Sequence, residues 1–459
     1  MRNIKYIGTK ATEDAFFDRT QIIWTPGKID TVLDEAVATE MLRFAEFEDA
    51  GDAVGGAGVA VGAVALTPTG LAIGGVKPTS AQKTQINAVL SGSLVEHRDH
   101  LSRFDTAMSQ SLYSRVGITI CGNSITQGYY ANDVVTPNNP VFEQRGFCGQ
   151  LRDRFALANG TVGIGAITFA DSRCTLGGGA NLNESIGLTR AGGARINAVG
   201  ETATLTLTEP ATEIWVHGWW ESDAKCEAWT YSVDGAADET ASISALGSDK
   251  DYTVKITGLS NATHTLVIKP AATPTKQVDI AGFSVFSSSQ SGGIVVNRFG
   301  KGGGYLESLF YPMSNVGANP RSNRLTFGRT ETDLAVLAFG ANEASVTGEG
   351  VAWTPTRYRT ALLDLVNYLT DTYGCSVLLA SLVRQNPTQV GSYGEEAFYD
   401  IHREIANDNQ HVAHFDLSLS DKWATYSAAS AAGLLIDNVH PKLIGHSDIA
   451  SLMYRGLMT

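Results

Sequence analysis

The sequence predicts an α/β fold: a three-layer α/β/α domain on a mostly parallel sheet, interrupted by an inserted all-β, jelly-roll-like sandwich and preceded by a small β/α module. Three observations carry this reading. Short apolar, β-branched runs such as Val116–Gly122 and Asp333–Gly340 alternate with helical patterns, the rhythm of strands joined by crossover helices. Between about residues 197 and 286 that rhythm gives way to short alternating runs with turn residues at fairly regular intervals, a β-sandwich pattern. A stretch without charge, Ala53 to Val76, sets the first 50 residues apart from the rest.

In the leading module, 1–50, Lys5–Gly8 reads as a strand, and Thr20–Ile29 as a second strand running into the Pro26-Gly27 turn. Asp30 to Phe47 has helical spacing through Val32, Ala36, Ala38, Met41 and Phe44. Residues 51–79 read as a flexible Gly/Ala-rich linker rather than a membrane span, because Gly, Ala, Thr and Pro68 keep the hydrophobicity low. Residues 80–114 form a helical connector. Its stripe is Ile86, Val89, Leu90 and Leu94, then Leu101, Phe104, Met108 and Leu112. Such a stripe packs on its own domain or drives homo-oligomerisation, for instance into a trimer.

The α/β domain is assigned to 115–196 and 287–459, with the sandwich at 197–286. A helix is expected from about Val141 to Leu157 after the first strand. Beyond the insert, a helix is expected from Pro355 to Tyr373, a strand from Ser376 to Leu382, a helix from Glu395 to Asn407, a strand from Val412 to Leu417 and a last helix from about Ser447. Four of the seven tryptophans (Trp215, Trp219, Trp220, Trp229) fall in the insert. Packing is the preferred role for them. The sharper alternative is a saccharide platform, since aromatic faces stack on sugar rings. Ile214, Val216 and Trp220 alternate with Trp215, His217 and Trp219, so one set faces the core and the other is left to face a cleft.

Composition narrows the function. A net charge of −13 over 459 residues argues against partnership with nucleic acid or an anionic membrane, both of which need a basic surface. The five cysteines (Cys121, Cys148, Cys174, Cys226, Cys375) are scattered and odd in number, which indicates neither a zinc site nor a disulfide framework. Met1–Ile7 lacks the apolar core of a secretory signal.

The chemistry concentrates at four strand ends. Val116–Gly128 is an apolar strand that stops in Gly122-Asn123-Ser124, presenting a hydroxyl at a sheet edge. A serine is a weak nucleophile without a base. Near the C-terminus, Asp437 precedes His440 by three residues on a loop stiffened by Pro441, so carboxylate and imidazole lie side by side. Asp333–Glu343 ends in Gly340-Ala341-Asn342, whose amide is a donor for a developing oxyanion. Val295–Gly303 runs into glycines that expose backbone N–H groups.

These blocks, in this order, resemble the SGNH (GDSL-like) hydrolases. The resemblance implies an SGNH-type three-layer fold with Ser124 as nucleophile, His440 as general base and Asp437 as its orienter. It also implies an oxyanion hole made by the Ser124 N–H, a glycine N–H and the Asn342 amide. Gly302, five residues after Asn297, is preferred for the glycine, and Gly300 is the alternative. No cofactor is implied. The chain departs from the family pattern at Asn123 and Glu343, where aspartate is usual. Asn123, Trp215 and Trp219 are the candidate substrate contacts. His446 is read as a hydrogen-bonding residue at a helix start. The implied activity is ester hydrolysis, with an O-acetylated polysaccharide as first substrate. A lipid esterase or thioesterase, and a glycan-binding adhesin with little turnover, are the rivals. The leading module resembles those of tailed-bacteriophage structural proteins in its Tyr-x-Gly strand, Trp24-Thr25-Pro26-Gly27 turn and acidic helix. That resemblance implies attachment to other virion proteins and action at a bacterial surface.

Overall fold

The computed structural model describes residues 2–6, 29–32, 47–52, 64–67, 70–73, 94–131, 145–159, 163–169, 171–183, 193–243, 245–271, 274–287, 292–306, 325–345 and 353–458. The chain divides into two compact units, Met1–Lys83 and Thr84–Thr459.

In the first unit, β1 (Arg2–Tyr6) lies between β2 (Ile29–Val32) and β3 (Phe47–Asp52), antiparallel to both. A hairpin of β4 (Val64–Thr67) and β5 (Gly70–Ile73) follows. Two expectations are corrected here. Both ends of the segment expected as a helix, Asp30 to Phe47, are strands, because Ile29–Val32 and Phe47–Asp52 find a β1 edge to pair with; 33–46 lies outside the described residues, as does most of the Thr20–Ile29 strand. The stretch expected as a flexible linker contains β4 and β5, whose Val, Leu and Ile suit a paired ladder better than a coil. Among the described residues, no helix is long and apolar enough to cross a membrane.

The second unit opens with β6 (Val95–Glu96) and a short 3₁₀ turn leading into α1 (Ser102–Ser109). Then come β7 (Arg115–Gly122), a single helical turn α2 (Ser124–Gln127) and α3 (Phe147–Asn159). The chain next builds eleven antiparallel strands, from β8 (Gly165–Ile167) to β18 (Val278–Phe286), and returns with β19 (Gly293–Gly300). The remainder is α4 (Leu325–Arg329), β20 (Thr332–Ala338), α5 (Ala341–Ala344), α6 (Pro355–Tyr368), β21 (Ser376–Ser381), α7 (Glu396–Asp408), β22 (Val412–Asp416), α8 (Tyr426–Ala431) and α9 (Leu443–Met458).

The central sheet has the order β19-β7-β20-β21-β22-β6 and is parallel except for β6. Its strands are apolar on both faces because helices cover both. Ile118, Ile120, Val336 and Leu378 meet α1, α3 and α9 through Phe104, Leu151, Phe155 and Met453. Their neighbours Cys121, Ala335, Leu337 and Leu379 meet α6 and α7 through Leu362, Leu365, Phe398 and Ile405. Three layers result. Residues 80–114, expected as a separate connector, therefore enter the domain itself where they are described. Glu96 pairs with His414 in the sheet, and Leu101 and Phe104 are wholly buried. Of the two partners open to the stripe, its own domain is the one it meets, through Leu94, Leu101 and Phe104. Its first part, 80–93, lies outside the described residues.

That edge strand is pinned by a buried polar chain. Glu96 Oε2 meets His414 Nδ1 at 2.7 Å, His414 Nε2 meets Ser381 Oγ at 2.7 Å, Ser381 Oγ meets His402 Nδ1 at 3.0 Å, and His402 Nε2 meets the Tyr358 hydroxyl at 2.7 Å. Ser381, His414 and Glu96 thus repeat the order of a Ser–His–acid triad. Each is at most 1% exposed, so substrate has no access and the chain is a fastening.

The eleven antiparallel strands form two sheets, ordered β10-β11-β18-β13-β16 (with β8 on β18) and β15-β14-β17-β12-β9. One apolar core joins them, with Ile214, Val216, Ile256 and Phe283 from the first and Leu205, Trp229 and Ile268 from the second. The paired sheets start at Gly165, earlier than the expected 197. The runs from 165 to 196 are only three or four residues long, too short for an alternation to stand out.

Candidate active site

Strand order locates the site before any side chain is considered. In chain order the parallel strands β7, β19, β20, β21 and β22 sit as 2-1-3-4-5 across the sheet. The chain leaves β7 to one side for β19, then crosses to the other for β20. At such a switch point the connections diverge and leave a crevice beyond the carboxyl ends of the strands. Ser124 follows β7 and Asn342 follows β20, so both stand at that crevice.

Asn123 caps the helical turn that carries Ser124, its Oδ1 accepting the Ile125 N–H at 3.0 Å. It is 3% exposed, and this inward cap replaces the substrate contact expected of it. The turn lies tightly on its neighbours. A Cβ at Gly122 would come within 2.2 Å of Thr126 Oγ1, and one at Gly300 within 2.1 Å of the Gln127 nitrogen.

Ser124 Oγ lies 2.9 Å from His440 Nε2, and His440 Nδ1 lies 2.8 Å from Asp437 Oδ2. The other Asp437 oxygen accepts the main-chain N–H groups of His440 at 2.7 Å and Val439 at 2.9 Å. The three-residue spacing thus makes a closed loop in which one carboxylate holds both the backbone and the ring of the histidine. Partial burial works to raise the Asp437 carboxyl, but the hydrogen bonds from the His440 ring and from the two N–H groups outweigh it and hold the group below the ordinary carboxylate value. Asp437 therefore stays ionised through the neutral range. Tyr129 and Tyr130 flank the imidazole, with ring centroids 5.4 and 5.2 Å from it. The buried His446 supports that turn, its Nε2 3.0 Å from the Tyr129 carbonyl and its Nδ1 accepting the Phe147 N–H at 3.3 Å.

A cleft of about 440 Å³ opens over these groups, and Ser124, Asp437, His440, Asn342 and Gly302 all line it. Asn342 Nδ2 donates to the Gly304 carbonyl at 2.7 Å. Glu343 is buried and joins two of the strand ends, since one oxygen accepts the Gly340 N–H at 2.8 Å and the other the Leu306 N–H at 2.7 Å. Burial pushes its carboxyl up to about 7 against the pull of those N–H groups. Gly300 lies against the backbone of Thr126 and Gln127, while Gly302 and Gly303 face the cleft.

Trp215 and Trp219 are not brought to the cleft. They are 3% and 2% exposed. Trp215 packs on Phe286 and Val295, with Lys255 3.5 Å above its ring. Trp229 donates to the Tyr252 hydroxyl at 3.0 Å and Trp220 to Asp223 at 2.7 Å. No face of the four is bare enough to stack on a sugar ring. Sequence reasoning missed Gln127, Tyr129, Ser345, Gln385, Gln389 and Asn438. All but Gln127 line the cleft; Gln385 and Gln389 follow the carboxyl end of β21, the position that could have pointed to them.

No protein-family profile matches the chain, and no curated protein does. Among solved structures, a peptidoglycan O-acetylesterase is similar over 80% of this chain and 98% of its own, with a TM-score of 0.57 at 17% identity. An active-site mutant of a family two carbohydrate esterase from Clostridium thermocellum aligns over 60% of this chain and 96% of its own, at 14% identity and a TM-score of 0.26. A family two carbohydrate esterase from Cellvibrio japonicus aligns over 64% and 98%, at 12% identity and a TM-score of 0.25. The first of these likenesses shows a shared fold.

Proposed function

We propose that this chain is a serine esterase that removes acetyl groups from a carbohydrate, with a bacterial-surface polysaccharide as the substrate class. The observation that carries the proposal is the unbroken line Ser124 Oγ–His440 Nε2, His440 Nδ1–Asp437 Oδ2 at 2.9 and 2.8 Å, open to a cleft. His440 takes the Ser124 proton as Oγ bonds to the ester carbonyl carbon. The oxyanion of the tetrahedral adduct accepts from the Ser124 N–H, the Asn342 amide and the Gly302 N–H, each worth on the order of 10²–10³ in rate. The C–O bond to the sugar then breaks, and His440 returns the proton to the departing alkoxide. Water repeats the cycle on the acyl-enzyme, releasing acetate and restoring Ser124. Asp437 keeps the imidazole in the tautomer that faces serine and stabilises the imidazolium.

Hydroxyl and amide side chains, Ser345, Gln385, Gln389 and Asn438, make up much of the remaining wall. They suit a polyhydroxylated alcohol better than an acyl chain, which favours acetyl-sugars over lipid esters. The phage-like pattern of residues 1–50 extends the proposal to a virion appendage that meets acetylated host glycans.

The test is acetate release from 4-nitrophenyl acetate and from acetylated glycans, comparing the wild type with Ser124→Ala. Hydrolysis of acetyl but not long acyl esters, abolished in Ser124→Ala, is the expected result. Equal glycan binding by both proteins with no acetate released by either would overturn the esterase and leave an adhesin.

A further inference from the structure

The Gly302 N–H required by that mechanism is occupied in the resting protein. It donates to Gln127 Oε1 at 2.6 Å, and a backbone N–H has one hydrogen to give. The other two donors differ. The Asn342 amide has two hydrogens, of which the Gly304 carbonyl takes one. The Ser124 N–H starts the helical turn, where N–H groups have no partner inside the helix, and the Asn123 side chain takes that of Ile125. Two donors of the hole are therefore open, and the third is capped by a side chain from the nucleophile's own turn.

Gln127 is held so that only its side chain is free to leave. Its N–H donates to the Asn123 carbonyl at 3.0 Å, its carbonyl accepts from Arg298 Nη1, and Gly300 packs against its backbone with no room for a Cβ. Gly302 itself is exposed, and Gly303 beside it has a φ of 68°. The cap is thus a single side-chain amide bonded to Gly302, which lines the open cleft, and it is movable by rotamer change with the site otherwise in place.

We infer that Gln127 is a specificity-determining cap on the oxyanion hole, which must swing off the Gly302 N–H before an ester carbonyl occupies its place. The inference rests on the esterase reading and on Gly302 as the third donor. Displacement breaks one hydrogen bond, and the cost depends on what the freed amide meets. An alcohol portion carrying hydroxyls next to the ester gives it new partners. A plain aryl acetate gives it none. The cap therefore selects for esters of polyhydroxylated alcohols and slows simple esters.

The experiment compares the full chain as wild type, Gln127→Ala, Gln127→Glu and Ser124→Ala on 4-nitrophenyl acetate and on an acetylated xylo-oligosaccharide, with kcat and KM separated. It adds the rate at which an alkyl fluorophosphonate inactivates Ser124. Gln127→Ala is expected to raise kcat on the aryl ester by roughly two- to tenfold, the release of one neutral hydrogen bond, with KM little changed. The inactivation rate should rise in parallel, and the gain on the acetylated sugar should be smaller. Gln127→Glu keeps the acceptor and adds a charge that both tightens the cap and opposes the oxyanion, so it is expected to lower kcat about tenfold or more on both esters. A fall in kcat for Gln127→Ala with near-normal rates for Gln127→Glu would overturn the cap and make the residue a brace for the glycine loop. Wild type lacking any Ser124-dependent hydrolysis, with Gln127→Ala equally inert, would instead overturn the esterase reading beneath it.

Discussion

Glu343→Gln separates the two things that the buried carboxyl does at the junction of the Gly302 and Asn342 segments. It is 4% exposed and accepts one N–H on each oxygen, from Gly340 and from Leu306. Glutamine keeps one of those acceptors and turns an NH₂ toward the other N–H, which leaves buried donors opposed at a cost of about 1–3 kcal/mol. Against that, glutamine removes a charge from a dry site. Burial raises the carboxyl from 4.5 to about 7 in the folded protein. The folded state therefore holds its proton where the unfolded chain has lost it, and wild-type stability declines as pH rises from the unfolded value through the folded one. Between pH 5 and pH 8 this linkage amounts to roughly 2–3 kcal/mol. Glutamine has no such linkage. Urea unfolding of both proteins at the two pH values, followed by tryptophan fluorescence, should show the variant less stable than wild type at pH 5. It should gain roughly 2–3 kcal/mol on it by pH 8. Wild type and variant separated by the same interval at both pH values would refute the argument, because the carboxyl would then titrate alike in folded and unfolded chains.

Asn342→Ala removes a donor without touching the triad, and kcat on an acetyl ester should fall on the order of 10²–10³ with Ser124 still open to acylation; a fall below threefold would exclude this amide from the oxyanion hole. Trp215→Ala should destabilise the second unit by roughly 3–5 kcal/mol, as expected for an emptied core site, while the ratio of rates on acetylated glycan and aryl acetate stays fixed below the unfolding transition. A selective loss on the glycan would restore the saccharide-platform role.

How far each feature could be read from sequence follows from what kind of interaction specifies it. The parallel strands were legible because helices bury both of their faces, and an apolar run such as Val116–Gly122 has few other uses. The hydrogen-bonded line Ser124–His440–Asp437 was legible because Asp437 and His440 interact across three residues of one loop, and because Ser124 needed only a strand end. Asn123 and the tryptophans were misplaced for the opposite reason. An asparagine before a helical turn is equally well suited to cap it or to touch a ligand, and only the inward set of its Oδ1 toward Ile125 decides. Trp215 and Trp219 do alternate away from the sandwich core as the pattern required, but the face that they share is covered rather than open. The stripe at Leu101 and Phe104 packs on its own domain, one of the two partners that the sequence left open, since periodicity fixes which face is buried and not what buries it.

The cleft residues that sequence did not reveal share one property: their place in the cleft comes from the switch point and not from a local pattern. Gln385 and Gln389 lie 261 and 265 positions beyond Ser124 and are placed by the end of β21, a strand that does not neighbour β7. Gln127 has no motif either. Its reach to Gly302 exists because β19 and β7 are parallel and in register to their last pair, Gly300 opposite Gly122. That register carries the glycine loop past the helical turn of Ser124 at backbone distance, close enough for the Gly302 N–H to reach a side-chain amide of that turn. Two adjacent parallel strand ends therefore bring the loop after one within reach of the turn after the other. The residue at the end of that turn, three beyond Ser124, is the one whose side chain makes the contact.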